Sequence, residues 1–207
     1  MKFFVTFEGI EGCGKSTQSK LLDDYLRSAG YKVLLTREPG GPIISEKIRE
    51  ILLSNEHWKM LPETELLLYM ASRAQHTGEW ILPALNEGKI VICDRYYDSS
   101  IAYQGGGRDL DLNVICEITR FATFGLIPDL TFLIDIPVEI GIKRIKEKDA
   151  DRIESEAIAF HRKVRRLFLD VAKQETERYI IINGDDDITN IQSQIREITD
   201  RRVRMVT

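Results

Sequence analysis

The chain has 207 residues, of which 43% are hydrophobic and 30% charged, and a formal net charge of -4. This composition excludes a disordered chain and a disulfide scaffold, and the negative charge excludes a general attraction to nucleic acid or to an anionic membrane. Cys13, Cys93 and Cys116 are odd in number with no CxxC pair, no apolar run approaches the roughly 18 residues of a membrane span, and the start reaches Glu8 too soon for a secretory signal. One cytoplasmic domain over residues 1–207 is expected.

The first predicted element is a strand from Phe3 to Phe7, short and continuously apolar, as a strand covered on both faces should be. It leads into Gly9-Ile10-Glu11-Gly12-Cys13-Gly14-Lys15-Ser16, which fits G-x-x-x-x-G-K-[ST] and opens a helical segment from Ser16 to Ala29. Glycines let successive backbone N–H groups converge on phosphate oxygens, and the helix N-terminus adds positive potential. Lys15 then reaches the β/γ-phosphates and the Ser16 hydroxyl ligates Mg²⁺. Gly9 to Thr17 is the expected triphosphate site.

A second strand, Val33 to Leu35, runs into Thr36-Arg37-Glu38-Pro39-Gly40-Gly41, and Arg49 follows. Helical spacing from Glu63 to Glu87 carries Arg73, with Pro83 expected to kink or divide the segment. The strand Ile90 to Cys93 ends in Asp94-Arg95-Tyr96, where Asp94 reads as an acidic group beside Mg²⁺. Arg37, Arg49, Arg73 and Arg95 imply a second anion, a phosphate monoester, because the planar guanidinium suits bidentate phosphate recognition.

Later come a helix from Leu112 to Phe124, a strand from Leu130 to Ile134, a helix from Glu156 to Thr176 and a strand from Tyr179 to Ile182. Gly30, Gly88 and Gly125 stand where left-handed helix C-caps are wanted. Between Lys143 and Asp170, Lys and Arg outnumber Asp and Glu. A lid at about 146–156 could therefore place Arg152 on the transferring phosphoryl group while excluding water. The spacing equally allows a surface pair between Arg152 and Glu156. Strand and helix alternating about five times give an α/β fold, a five-stranded parallel sheet with helices on both faces and ligands at the carboxyl ends of its strands.

A phosphate acceptor, with its second pKa near 6, needs no general base. A hydroxyl acceptor would call on a carboxylate, either Glu38 or Glu11. The residues alone thus leave open a nucleoside monophosphate kinase, a deoxynucleoside kinase and a regulatory NTPase that binds partners.

Over nearly its whole length the chain resembles thymidylate kinase. The resemblance rests on Phe7-Glu8-Gly9 entering the phosphate loop, Thr36 to Gly41, Asp94-Arg95-Tyr96 and Ala102-Tyr103-Gln104-Gly105-Gly106-Gly107, in the family's order. It implies a P-loop kinase fold, transfer of the γ-phosphoryl of ATP to dTMP with Mg²⁺ in dTTP synthesis, and a homodimer. By that resemblance Glu11 lies near the sugar 3′-hydroxyl, Arg95 and Arg49 hold the acceptor phosphate, and Arg73 with Tyr69 meets the thymine. Tyr103 stands where a ribose 2′-hydroxyl would project, and Glu38, Ser99 and Gln104 complete the acceptor set. Lys15, Asp94, Arg95 and Arg152 form the implied catalytic set, with Ser16 and Asp94 toward the metal. With no arginine in the phosphate loop and Asp151-Arg152-Ile153-Glu154 in the lid, the chain resembles the lid-arginine branch. Pro42 and the acidic run Asn183 to Asp187 depart from the family's pattern.

Overall fold

The computed structural model describes residues 2–145 and 150–206, so the expected lid is described from Ala150 onward and 146–149 lie outside the described residues. Five strands, β1 (Phe3–Glu8), β2 (Val33–Arg37), β3 (Ile90–Asp94), β4 (Leu130–Asp135) and β5 (Tyr179–Asn183), form one sheet in the order β2-β3-β1-β4-β5. Every pairing is parallel, with Val5 opposite Ile92 on one side and Leu130 on the other. β1 is buried from end to end. Its Phe3, Val5 and Phe7 pack with Leu22, Leu26, Ile191 and Ile195, whereas Phe4 packs with Val91, Cys93, Ile81 and Leu85. Two apolar layers on one strand explain why it reads as a continuous apolar run.

Nine α-helices cover the sheet among the described residues: α1 (Lys15–Ser28), α2 (Ile43–Leu53), α3 (Pro62–His76), α4 (Leu82–Asn86), α5 (Tyr97–Ser100), α6 (Leu112–Ala122), α7 (Val138–Ile145), α8 (Ile158–Gln174) and α9 (Ile188–Val206). α1 ends as expected: the Gly30 and Tyr31 amides donate back to Arg27 O and Leu26 O, with Gly30 at φ 90°. The Glu63 to Glu87 segment divides, but upstream of Pro83, through a π-helical turn at Thr77–Ile81. Pro83 has no N–H for the carbonyl four residues back, and a widened turn absorbs the mismatch. α8 starts at Ile158, later than expected, because a turn at 150–157 precedes it. α2, α5, α7 and α9 are additional to the predicted helices.

The order of strands decides where ligands go. The chain crosses from β3 to β4 past β1, so the loops leaving β1 and β3 lie side by side at the carboxyl edge, where the connections diverge. The β1 loop is the glycine-rich one, and β3 ends in Asp94, with Arg95 opening its loop.

Candidate active site

A cleft of about 250 Å³ opens at this edge. On one side stand Glu11, Gly12, Lys15 and Ser16 of the loop between β1 and α1. Gly9, Gly12 and Gly14 all take positive φ, which allows the loop to wrap back toward α1. Lys15 is buried, and its Nζ donates to Gly9 O at 3.1 Å and Ile10 O at 2.9 Å. The Ser16 hydroxyl donates to Asp94 Oδ2, bringing together the two residues expected to hold the metal. Ile10 and Cys13 turn their side chains into the core, so only their backbone can meet a ligand. Thr17 is exposed on the first turn of α1.

Across the cleft stand Glu38, Arg49, Tyr69, Arg73, Arg95, Ser99, Tyr103 and Gln104, brought by the ends of β2 and β3, by α2, α3 and α5, and by the π-helical turn Ile101–Gly107. Arg37 and Asp94 join them. Every residue expected to hold the acceptor therefore faces one space. Arg49 is half-buried and donates to Pro39 O at 2.8 Å; burial and the neighbouring Arg37 lower its pKa. Burial raises that of Tyr69 well above the ordinary phenol value. Arg73 is buried with Glu38 and His76: its Nε donates to Glu38 Oε2 at 2.7 Å, and His76 Nδ1 lies 3.0 Å from Glu38 Oε1.

Arg95 ties the two sides together. Its Nη1 donates to Gly9 O at 2.9 Å and Ser99 Oγ at 3.1 Å, and its Nη2 to Glu11 Oε1 at 2.9 Å and the Tyr103 hydroxyl at 3.1 Å. Tyr103 in turn donates to Glu11, and His161 Nδ1 of α8 lies 3.5 Å from the other Glu11 oxygen. Burial pushes the Glu11 carboxyl up, but Arg95, His161, Lys15 and Tyr103 outweigh it and hold the pKa at about 2.

Glu8 holds Arg95 from below. Arg95 takes φ 70°, a left-handed conformation that costs a non-glycine residue about 1–3 kcal/mol. The Glu8 carboxylate accepts the next amide, Tyr96 N, at 2.7 Å, and the Ser99 hydroxyl at 2.6 Å, fastening the turn on both sides of Arg95. Burial, then the charge of Asp98, raises the Glu8 pKa from 4.5 to about 8. Asp98 itself is buried against Arg178, which bonds both its oxygens at 2.8 Å. A carboxyl raised in this way keeps its proton in the folded state after the unfolded chain has released its own. Its contribution to stability therefore falls as pH rises from about 4.5 to about 8. Glu8→Gln, which mimics the protonated acid, should gain melting temperature relative to the parent across that interval. Parallel thermal melts at pH 5 and pH 8 check this; a constant difference would remove the buried proton from Glu8.

One expected catalytic residue is placed elsewhere. Asp151, Ile153 and Glu154 line the cleft, but Arg152 does not. It is 7% exposed and pairs with Glu65 at 2.7 Å, not with Glu156, which pairs with Arg108. The cause is local: Asp151 Oδ1 accepts the Ile153 and Glu154 amides at 2.9 Å, and this tight turn sends Arg152 away from the cleft. A cation that the motifs did not single out sits on the phosphate loop instead. Arg144 Nη1 donates to Gly12 O at 3.0 Å. α7 comes this close because Gly12 and Gly141 face each other: a Cβ on Gly12 would lie 2.5 Å from Gly141 O. Gly141 and Arg144, three apart on a helix that follows a buried strand, are the available signal.

A family model described as thymidylate kinase matches residues 7–195. The chain is 48% identical to the thymidylate kinase of Geotalea uraniireducens over 202 residues, 94% of this chain and 95% of the relative. It is 51% identical to that of a Sulfurihydrogenibium species over 195 residues, 94% and 95% of the two chains. Among solved structures, the thymidylate kinase of Ehrlichia chaffeensis superposes with a TM-score of 0.80 at 36% identity, covering 96% of this chain and 98% of that one.

Proposed function

The chain belongs to the thymidylate kinase family, and from that premise we infer that it moves the γ-phosphoryl group of ATP to dTMP, giving dTDP and ADP. The observation that carries this reading is the set of arginines opposite the phosphate loop. Arg49 and Arg95 line the same cleft as Lys15 and Ser16, an arrangement suited to a second phosphate across from the first. A hydrolase needs only one anion site.

The positions support the following roles. The phosphate-loop amides and Lys15 hold the β- and γ-phosphates. Arg49 and Arg95 hold the acceptor phosphate, whose oxygen is already ionised at neutral pH and attacks without a general base. Glu11, fixed by Arg95 and Tyr103, faces the sugar, while Tyr69 and Arg73 form the base pocket. Catalysis is then positioning plus positive charge on the migrating group.

Ser16 and Asp94 fit Mg²⁺. Both offer hard oxygen donors already in contact, and among the described residues no cage of three or more metal ligands forms. One or two protein oxygens beside substrate phosphates are the usual Mg²⁺ arrangement. When bound, the ion supplies charge neutralisation on those phosphates.

No described helix is long and apolar enough to cross a membrane. The three cysteines are free, which supports a reducing, cytoplasmic setting. Homodimerisation is supported by an apolar face across α3 and α6, with Leu67, Phe121 and Phe124 exposed and Phe121 at 84%. Sedimentation of Phe121→Glu against the parent tests it.

The function itself is tested by coupled ADP release with ATP and dTMP, dUMP, thymidine or no acceptor. ADP release independent of any monophosphate would overturn the reading in favour of a regulatory NTPase. Tyr103 offers a finer check, because its ring and its hydroxyl have separate duties. Tyr103→Phe should keep the preference for dTMP over its ribo counterpart, yet lower kcat/KM about 10-fold as Glu11 and Arg95 lose a partner. Tyr103→Ala should lose the preference as well. Equal ratios of kcat/KM for the two acceptors in parent and Tyr103→Ala would exclude the ring from sugar selection.

A further inference from the structure

We propose that Arg152 is a positioning residue that latches the 150–157 turn onto the acceptor-binding helices, making that turn a wall of the acceptor site. The proposal rests on the acceptor reading above and replaces the role of a cation on the transferring phosphoryl group.

Three sets of contacts carry it. Arg152 Nε donates to Leu52 O at 2.9 Å, and the Arg152 amide to Leu53 O at 3.2 Å. Both carbonyls belong to the last turn of α2, where no helical partner remains. That turn has no basic residue of its own, so the guanidinium supplies the positive charge that a helix C-terminus favours. Arg152 Nη1 then reaches Glu65 Oε2 at 2.7 Å, on α3. The buried Glu65 carboxylate also accepts Gln104 Nε2 at 2.9 Å and Arg108 at 3.1 and 3.0 Å. Burial raises the Glu65 pKa, but Arg108, Gln104 and Arg152 outweigh it and keep the group low. Finally, Asn55 Nδ2 donates to Ala150 O at 3.0 Å and seats the start of the turn.

The elements that the latch joins are those that hold the acceptor. α2 carries Arg49, α3 carries Tyr69 one turn after Glu65, and the π-helical turn carries Gln104. On the inner side of the same turn, Asp151, Ile153 and Glu154 face the cleft. Holding Arg152 outward thus holds its neighbours inward. The two roles demand different directions of one side chain, and Arg152 lies outside the lining of the cleft where the phosphates would sit.

The test separates an effect on acceptor binding from one on turnover. In the full-length protein, Arg152→Ala and Glu65→Gln should each weaken dTMP binding about 10-fold, measured calorimetrically without ATP. The double variant should be little worse than either single one, as expected for two ends of one contact. Both variants should speed hydrogen exchange of the 150–157 amides without nucleotide. Folding should survive in Arg152→Ala because Arg108 still compensates Glu65. Arg152→Lys should restore dTMP affinity only in part, since an ammonium cannot meet the Leu52 carbonyl and the Glu65 carboxylate in the fixed geometry of the fork. Unchanged dTMP affinity with kcat lowered 100-fold or more in Arg152→Ala would overturn the latch and restore the phosphoryl-contacting role. So would unchanged exchange in the turn. If the parent bound no dTMP while the variants still exchanged faster, the acceptor reading would fail and the latch would stand as a purely structural contact.

Discussion

Replacing Lys15 with methionine should lower kcat about 10³-fold at saturating ATP and dTMP. Methionine keeps most of the lysine stem and its packing but removes the charge, so the loss isolates electrostatics. Lys15 is buried under its own loop, with Nζ on Gly9 O and Ile10 O. In the proposed reading those carbonyls hold the ammonium beside the phosphates, so the charge is preorganised before transfer begins. Removing one such donor from a preorganised site typically costs about 10²–10³ in rate, and a full positive charge lies at or beyond the upper end. The carbonyls lose a charged donor as well, so stability should fall by about 1–3 kcal/mol. Single-turnover rates and thermal melts on Lys15→Met and the parent decide it. Turnover within 10-fold of the parent would remove Lys15 from the mechanism.

The parts of this site that could be read from the sequence are those whose causes are local. The phosphate loop is a run of eight residues between a strand and a helix, and its conformation is set by its own glycines. Arg37, Glu38, Asp94 and Arg95 follow apolar runs directly, so the sheet alone carries them to the carboxyl edge. Arg152 differs in kind. Its direction is set by Asp151 beside it and by Glu65, 87 positions earlier, and no spacing rule reports that pairing. The same holds for Glu8. In the sequence it is an acid closing an apolar strand, and only the fold brings Tyr96 and Ser99 onto its two oxygens.

The unpredicted helices have physical reasons of their own. α2 turns Ile43 and Ile44 outward, Ile43 at 82% exposure, and buries Ser45 and Leu52. Its apolar residues therefore mark the wrong face for a periodicity reading. α9 does carry a stripe, Ile191, Ile195, Thr199 and Val203, each four residues apart and buried. The threonine in that stripe and the many charges around it dilute the signal. Pro42 shows how little a motif departure can disturb the backbone: it precedes α2 at the helix entrance, where a missing N–H costs nothing.

Arg73→Met should destabilise the protein by about 3–5 kcal/mol at neutral pH, the usual cost of stripping one partner from a buried ion pair. For a chain of this size that is about 6–20 °C in Tm. Arg73 and Glu38 are 2% and 4% exposed, so water cannot take the place of the lost guanidinium. Arg73 also donates to Ser100 Oγ at 2.9 Å and Tyr96 O at 3.1 Å, which binds β2, α3 and the β3 loop at one point. In the parent, burial pushes the Glu38 carboxyl up, but Arg73 and His76 outweigh it and hold the pKa below 4.5. Glu38 thus contributes stability above that value and loses it as pH falls. In the variant, burial is opposed by His76 alone, so the ionised carboxylate becomes the destabilising species. The gap in Tm between parent and variant should accordingly narrow as pH is lowered from 7 to 5. Adding Glu38→Gln should recover part of the loss at pH 7, because an amide can be buried beside His76 at less cost than an unpaired charge. A purely substrate-contacting Arg73 would instead raise KM for dTMP and leave Tm alone. A pH-independent gap, or no recovery in the double variant, would place the main cost in the bonds to Ser100 and Tyr96 and not in the charge of Glu38.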